Sequence, residues 1–133
     1  MHRWFLIAAS LIGALSVALG AFAAHKLKQV MPADAVAVFE TGVRYQFYHA
    51  FALLAAGILY EKYPGALLKW AGYCFQVGII LFSGSLYVLT ALKAADTAGL
   101  SKIGILTPLG GLFFIAGWIL MVTAFIKKGP VNE

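Results

Sequence analysis

Residues 4–24 read WFLIAASLIGALSVALGAFAA, a run without Asp, Glu, Lys or Arg. An α-helix rises about 1.5 Å per residue, so a run of about 21 residues can cross a hydrocarbon core about 30 Å thick. Uncharged runs recur at 45–60, 70–92 and 103–126. The sequence therefore predicts four transmembrane helices, with spans at about 4–24, 43–60, 70–92 and 103–126.

The composition excludes an ordinary soluble domain. Hydrophobic residues make up 62% of the 133 residues and charged residues 11%, against about 25% charged in soluble proteins. Short loops leave no room for a second domain, so residues 1–133 are predicted to form one all-α integral membrane bundle. The net charge of +5 comes from Lys and Arg spread in ones and twos beside apolar runs, with no basic stripe. Membrane anchoring explains this charge, and nucleic acid is not a predicted partner.

The second span is too short by itself. Between Arg44 and Glu61 about 16 uncharged residues give roughly 24 Å of helix. The preceding segment begins with the helix-start residues Pro32 and Asp34 and carries apolar side chains. The sequence favours one long helix over about 33–60, whose amphipathic N-terminal part extends the span. The alternative is an interfacial helix that kinks near Gly42.

The two ends of the chain leave the orientation open. Residues 21–23 imitate a signal-peptidase site, but the run before them exceeds the usual 7–15 apolar residues of a signal peptide, which favours a retained helix. The Lys and Arg residues divide five to five between the two sides, so the positive-inside rule assigns no orientation, and the amino-terminal charge with its aromatic neighbours only leans towards cytoplasmic termini. One side carries Arg3, Lys62, Lys69, Lys127 and Lys128, and the other carries Lys26, Lys28, Arg44, Lys93 and Lys102.

Small and polar residues indicate which helix faces pack together, because transmembrane helices associate through close backbone approach and scattered polar contacts. In the first span, small residues recur at intervals of three and four, and the third and fourth spans carry similar positions. The predicted helix-packing residues are Gly13, Ser16, Gly20, Ser83, Tyr87, Gly110 and Gly111.

Ionisable groups at membrane depth are costly and therefore count as functional candidates. Glu40 and Arg44 stand four residues apart, which predicts an interfacial ion pair or, alternatively, a ligand or ion contact. His49 can meet Tyr45 through the same spacing, either as a structural hydrogen bond or as a proton-accepting or ligand-binding group. If the first loop folds back, His25 joins them on one membrane side. The predicted ligand or ion site is His25, Glu40, Arg44, Tyr45 and His49.

No metal or cofactor is predicted. The lone Cys74 forms no internal disulfide or CxxC pair. Two histidines are the minimum for a bis-histidine haem, but nothing else supports a macrocycle, and zinc lacks further ligands at recognisable spacing. Gly110 and Gly111 lack the strand and Lys or Ser of a phosphate loop, so nucleotide binding is not indicated.

Several motifs resemble those of a known family. They are GAFAAH at 20–25, YQFYHA at 45–50, FSGSLY at 82–87, TPLGG at 107–111, and the following Gly117-Trp118. In this order they resemble the uncharacterised membrane family called domain of unknown function 423, whose animal relatives are the transmembrane protein 256 group. Members often have Gly where this chain has Ala23. The resemblance implies a short multi-pass protein of bacterial inner membranes with no established activity, and it singles out His25, Tyr45, Gln46, His49 and 83–87 as recurring polar features.

The sequence features favour one class of function, leave a second as the alternative and give little support to a third. The small-residue face of the first span favours a non-enzymatic protein that binds or assembles with copies of itself or with a membrane partner, in contact with membrane lipid. The ionisable cluster favours, as the alternative, transport or channel-like handling of a small ligand, lipid or ion through an oligomer. An enzyme with a histidine base is not predicted, because the sequence shows no nucleophile or metal for that base to serve.

Overall fold

The computed structural model describes residues 1–95 and 100–127, and within these residues the chain is helical with no strand. We number the helices in chain order. They are α1 Arg3–Val30, α2 Ala33–Leu59, α3 Ala66–Ala94, the short α4 Leu100–Gly104, and α5 Leu106–Lys127. Three helical segments, Arg3–Val30, Ala66–Ala94 and Lys102–Lys127, are long and apolar enough to cross a membrane. The all-helical membrane fold is therefore confirmed with three such spans.

The long helices pack as two antiparallel pairs. In the first pair, the His2 amide near the start of α1 donates to the Gly57 carbonyl near the end of α2 at 2.8 Å. In the second pair, Gly110 at the start of α5 lies against Phe82, and Gly117 further along α5 lies against Phe75. α2 and α3 then bring the pairs together.

α2 is one continuous helix through Gly42, which is the favoured prediction; Tyr60 follows as its C-cap residue. Pro32 precedes the first turn as its N-cap. The lack of a side chain at Gly42 makes room for a neighbour, because a Cβ there would lie 2.8 Å from Cε1 of Tyr87. The segment before the short span therefore extends α2 as a helix.

Two helix ends differ from the predicted spans. α1 continues six residues beyond 24 through a wide π-helical turn at Ala23–Leu27, where Lys26 is exposed and so does not oppose helix formation. The helix that holds the fourth span breaks between Gly104 and Leu106. Pro108 has no amide hydrogen to donate to the Gly104 carbonyl four residues earlier, which accounts for the break. Lys128 lies outside the described residues.

Aromatic rings fill spaces left by glycines in the main core. Phe5, Leu53, Leu68 and Phe75 are fully buried there. A second cluster at the other end contains Val36, Phe39 and Val43 of α2, with Ala23 and Leu27 of α1. The α2 residues of the main cluster begin at Ala52, so 44–51 of α2 lie between the two apolar clusters. The polar interior is built around this middle part of α2.

Candidate functional site

The structure does not bring the five predicted site residues together. His25 and Arg44 are exposed, Glu40 is half-buried and His49 is buried. Among the described residues no ion pair forms between Glu40 and Arg44, and the one hydrogen bond within the group joins His49 to the backbone of Tyr45. Five residues turn a helix by about 500°, which places Arg44 and His49 about 140° apart around α2. They therefore face different surroundings.

His49 lies in an aromatic enclosure made by α3 and α5. Its ring stacks on Phe114 with ring centres 3.5 Å apart and planes 6° apart, and Phe75 lies 5.7 Å away. Nδ1 lies 2.8 Å from the Tyr45 carbonyl, and Nε2 lies 3.2 Å from Nε1 of Trp118. A carbonyl only accepts and an indole N–H only donates, so both bonds are satisfied by the neutral ring with its proton on Nδ1. This arrangement uses both nitrogens of His49.

Gln46 connects three helices. Its Oε1 accepts a hydrogen bond from the Tyr87 hydroxyl of α3 at 2.8 Å, and its Nε2 donates to the Ile12 carbonyl of α1 at 3.4 Å. Ser16 donates to the same carbonyl at 2.8 Å. Gln46 and Ser16 are both buried. The amide of Gln46 is therefore committed to helix contacts.

The π-helical turn of α3, Ile79–Ser83, contacts helices on both sides. Ser83 donates to the Gly42 carbonyl of α2 at 2.6 Å, and two residues later Ser85 shares a hydrogen bond of 2.6 Å with Thr107 of α5. A Cβ at Gly110 would collide with the backbone nitrogen of Phe82, so α5 approaches the backbone of α3 directly at this turn. π-Helical turns often occur where a helix must adapt to a special contact.

The predicted packing residues fall into two groups. Gly110 contacts the α3 backbone, Ser83 and Tyr87 bond to α2, and Ser16 is fully buried. The other three make looser contacts. A Cβ would meet Val43 at 3.6 Å from Gly20, Phe82 at 3.9 Å from Gly111, and no atom within 4 Å from Gly13.

The buried polar side chains of the described interior are paired with other protein atoms. Among the described residues, His2 Nδ1 is the only buried side-chain nitrogen or oxygen without a hydrogen-bond partner. A general base or ligand-binding group needs an atom that can face a substrate. In this bundle the nitrogens of His49, the amide of Gln46 and the hydroxyl of Tyr87 all face protein atoms instead.

The carbonyls of Gly42 and Ile12 and the indole of Trp118 could not be identified as partners from residue type. The 4-3 spacing of Gly42, Gln46 and His49 would have marked the inner face of α2, because residues at that spacing share one side of a helix. All three are buried. Trp118 stands out in the sequence only as part of a motif, since its partner is 69 residues away.

Long apolar helices that pair their buried polar groups with one another define a helical membrane protein of the multi-pass class. A model of the family described as protein of unknown function (DUF423) matches residues 19–111. The chain belongs to this family, which confirms the resemblance found in its motifs.

Relatives agree in length and location. The chain is 40% identical over 124 residues to the UPF0382 membrane protein YwdK of Bacillus subtilis, covering 92% of this chain and 96% of that protein. It is 36% identical over 134 residues to the UPF0382 inner membrane protein YgdD of Escherichia coli, covering 98% of each. No solved structure matches the chain. The protein is a membrane protein of a family without an established biochemical role.

Proposed function

We propose that this protein is a four-span, non-enzymatic membrane protein that assembles with a second copy of itself through the outer face of α1. The observation that carries the proposal is a groove of about 230 Å³ between α1 and α2 with no charged side chain along it. Its lining combines small residues of α1 with aromatic rings of α2. The residues are Ala9, Ser10, Gly13, Ala14, Val17, Phe47, Ala50, Phe51 and Leu54.

Apart from Ala9, which belongs to the main core, the small residues of α1 along this face are not buried inside the bundle. Ser10, Ala14 and Ala18 are exposed at intervals of four, and a Cβ at Gly13 would meet nothing within 4 Å. Small side chains at this spacing let a second helix approach closely and gain van der Waals contact that lipid chains cannot match. The glycine and alanines of α1 therefore fit a helix of another copy.

The fourth crossing is α2. It has 27 residues, roughly 40 Å at about 1.5 Å per residue, and it runs antiparallel to α1 along most of its length. If α1 crosses the bilayer, its antiparallel partner crosses as well. The lower hydropathy of α2 has a physical reason, because buried residues such as Gln46 and His49 face protein and not lipid.

The absence of catalysis is supported by the state of the interior. Its polar side chains hold the helices together, and the histidine that could have served as a base has both ring nitrogens bonded to the protein. Function in such a bundle belongs to its outer surface, where it contacts lipids and other membrane proteins.

Disulfide trapping tests the assembly. In a Cys74→Ala background, Ala14→Cys is oxidised in native membranes and compared with Ile115→Cys, which is exposed near the middle of α5. We expect a covalent dimer from Ala14→Cys and much less from Ile115→Cys. Equal yields, together with only monomers by native mass spectrometry at every concentration, would reject self-assembly.

A matched glycine pair separates assembly from folding. Gly13→Ala and Gly84→Ala both add a methyl group to open space on a helix, so neither should disturb the monomer. We expect Gly13→Ala to lower the dimer fraction and Gly84→Ala to leave it unchanged. An unchanged dimer fraction in Gly13→Ala would place the interface elsewhere.

A further inference from the structure

A cavity of about 300 Å³ opens where α3 begins and α5 ends. Its inner wall is apolar, since Leu68 is fully buried and Ala124 is 6% exposed. Tyr63 packs against Phe125 with ring centres 5.0 Å apart. Lys127 lines the same cavity and is exposed. The cavity thus has an apolar inner wall and one positively charged side chain, Lys127, in its lining.

The cavity lies at one end of the bundle. α2 ends at Leu59, α3 begins at Ala66 and α5 reaches Lys127, so all three helices have an end here. Trp4 and Trp70 are 55% and 61% exposed at this end, and exposed tryptophans concentrate where lipid head groups meet acyl chains. An apolar cavity at this depth can take an acyl chain while its rim reaches the head-group layer.

The charge around this end is positive and unpaired. Arg3, Lys62 and Lys69 are exposed at the same end of the bundle as Lys127, and none of the four forms an ion pair in the described part of the chain. Among the described residues the acidic side chain at this end is Glu61, and its carboxylate already lies 3.6 Å from the amino group of Met1. A ligand with net negative charge complements this surface, whereas a zwitterion gains less.

We infer that this cavity binds an anionic phospholipid, with the upper part of an acyl chain against Leu68 and Ala124 and the phosphate beside Lys127. The first turn of α3 opens on the cavity without a side-chain cap, which adds favourable partial charge to that of Lys127. The site lies at the start of α3 and the end of α5, away from the groove between α1 and α2. Lipid binding and self-assembly can therefore fail independently.

Lipid titration of the full-length protein in mild detergent tests the site. Phosphatidylglycerol and phosphatidylcholine with identical acyl chains are compared by native mass spectrometry. We expect tighter binding of phosphatidylglycerol, and a loss of about fivefold in its affinity in Lys127→Gln, because one cation near an anionic surface is worth about 1 kcal/mol. Lys102→Gln removes an exposed cation at the opposite end and should leave both affinities unchanged.

A second variant tests the apolar part. Ala66 is an exposed cavity residue, so Ala66→Leu fills the space without entering the core. We expect Ala66→Leu to weaken both lipids while Lys127→Gln weakens phosphatidylglycerol alone. Equal binding of the two lipids by the unaltered protein would overturn the inference, and so would equal losses in Lys127→Gln and Lys102→Gln, which would indicate unlocalised charge attraction.

Discussion

His49 illustrates how the bundle decides the chemistry of a single residue. Its position one turn into an apolar run makes it a candidate proton acceptor, but the Tyr45 carbonyl and the Trp118 indole bind its two nitrogens as complementary partners. In hydrocarbon no water replaces a lost partner, so these bonds favour one neutral form of the ring. Both ring nitrogens of His49 are thus paired with protein atoms, one on its own helix and one on α5.

Removing the hydrogen-bond partner of the Trp118 indole tests this role. His49→Leu leaves the Trp118 N–H unpaired, and we expect a loss of about 1–3 kcal/mol in the free energy of unfolding in detergent. Trp118→Phe removes the donor as well, so the double variant should lose less than the sum of the two single variants. Additive losses would show that the two side chains do not interact.

The bond between Tyr87 and Gln46 offers a cleaner measurement. Tyr87→Phe removes one hydroxyl that donates across helices, and hydrogen bonds of this type in membrane proteins contribute about 0.6–1.7 kcal/mol. Tyr48→Phe is the matched control, because the Tyr48 side chain is exposed and its hydroxyl has no hydrogen bond in the described part of the chain. Equal unfolding free energies for the two variants would contradict the network.

Sequence spacing could predict only part of this site. The i, i+4 relation placed Tyr45 beside His49, but not that the backbone carbonyl would be the partner. It also placed Glu40 near Arg44, yet solvent or lipid head groups can satisfy side chains that are not buried, and no ion pair forms between these two. Partners on other helices depend on tertiary packing, which the period of one helix does not encode.

At the scale of elements, the contact between α3 and α5 depends on glycines opposite bulky or backbone atoms. Gly78 lies against Phe114, Gly117 against Phe75, and Gly110 against the backbone of Phe82. A ring can shift, whereas a backbone nitrogen cannot move without its helix. Close packing of this kind leaves little tolerance for added volume.

Gly110→Ala tests the tightest of these contacts. The new methyl group would collide with the α3 backbone, and we expect a loss of about 1–3 kcal/mol in unfolding free energy. Gly84→Ala adds the same group on α3 where no atom lies within 4 Å, and should be neutral or slightly stabilising because Ala favours helix more than Gly. If both variants behave alike, α5 does not approach α3 at Gly110.

The start of α2 is linked to the end of α3 by an ion pair between Asp34 and Lys93. Asp34 precedes the predicted span, and the hydrogen bond from Lys93 lowers its pKa below the usual 3.8, with a further contribution from the Ala35 amide. A lowered folded-state pKa means that the stabilisation is present above the unfolded-state pKa and is lost as pH falls through the folded-state value. The melting temperatures of the unaltered protein and Asp34→Asn should therefore differ more at pH 7 than at pH 3.

High salt should also reduce that difference, since both side chains are exposed and ions screen exposed pairs. A difference that is the same at pH 3 and pH 7 would mean that the Asp34 charge contributes nothing.

The uncharged runs predicted the long helices well at this scale. Their ends were less predictable, because an exposed Lys26 is tolerated inside a helix and Pro108 interrupts one within an apolar run.

At the scale of the whole molecule, α2 is the helix that links the other long helices to one another. Its inner face carries Gln46, which bonds to α1 and α3, and His49, which bonds to α5, and these polar side chains contribute to its lower hydropathy. With α2 as a crossing helix, the polar groups are enclosed, and the outer surfaces remain for the proposed contacts with a second copy and with lipid. If α2 lay along the membrane surface instead, its polar face would meet water and could not make these contacts with α1, α3 and α5.

Cysteine accessibility tests this central claim most directly. Lys28 and Lys62 are exposed near opposite ends of α2, and each is replaced by Cys in a Cys74→Ala background. A membrane-impermeant maleimide is applied to intact cells and then to permeabilised cells. With α2 as a crossing helix, we expect one of the two cysteines to be labelled in intact cells and the other only after permeabilisation. Labelling of both positions from the same side would contradict a crossing α2.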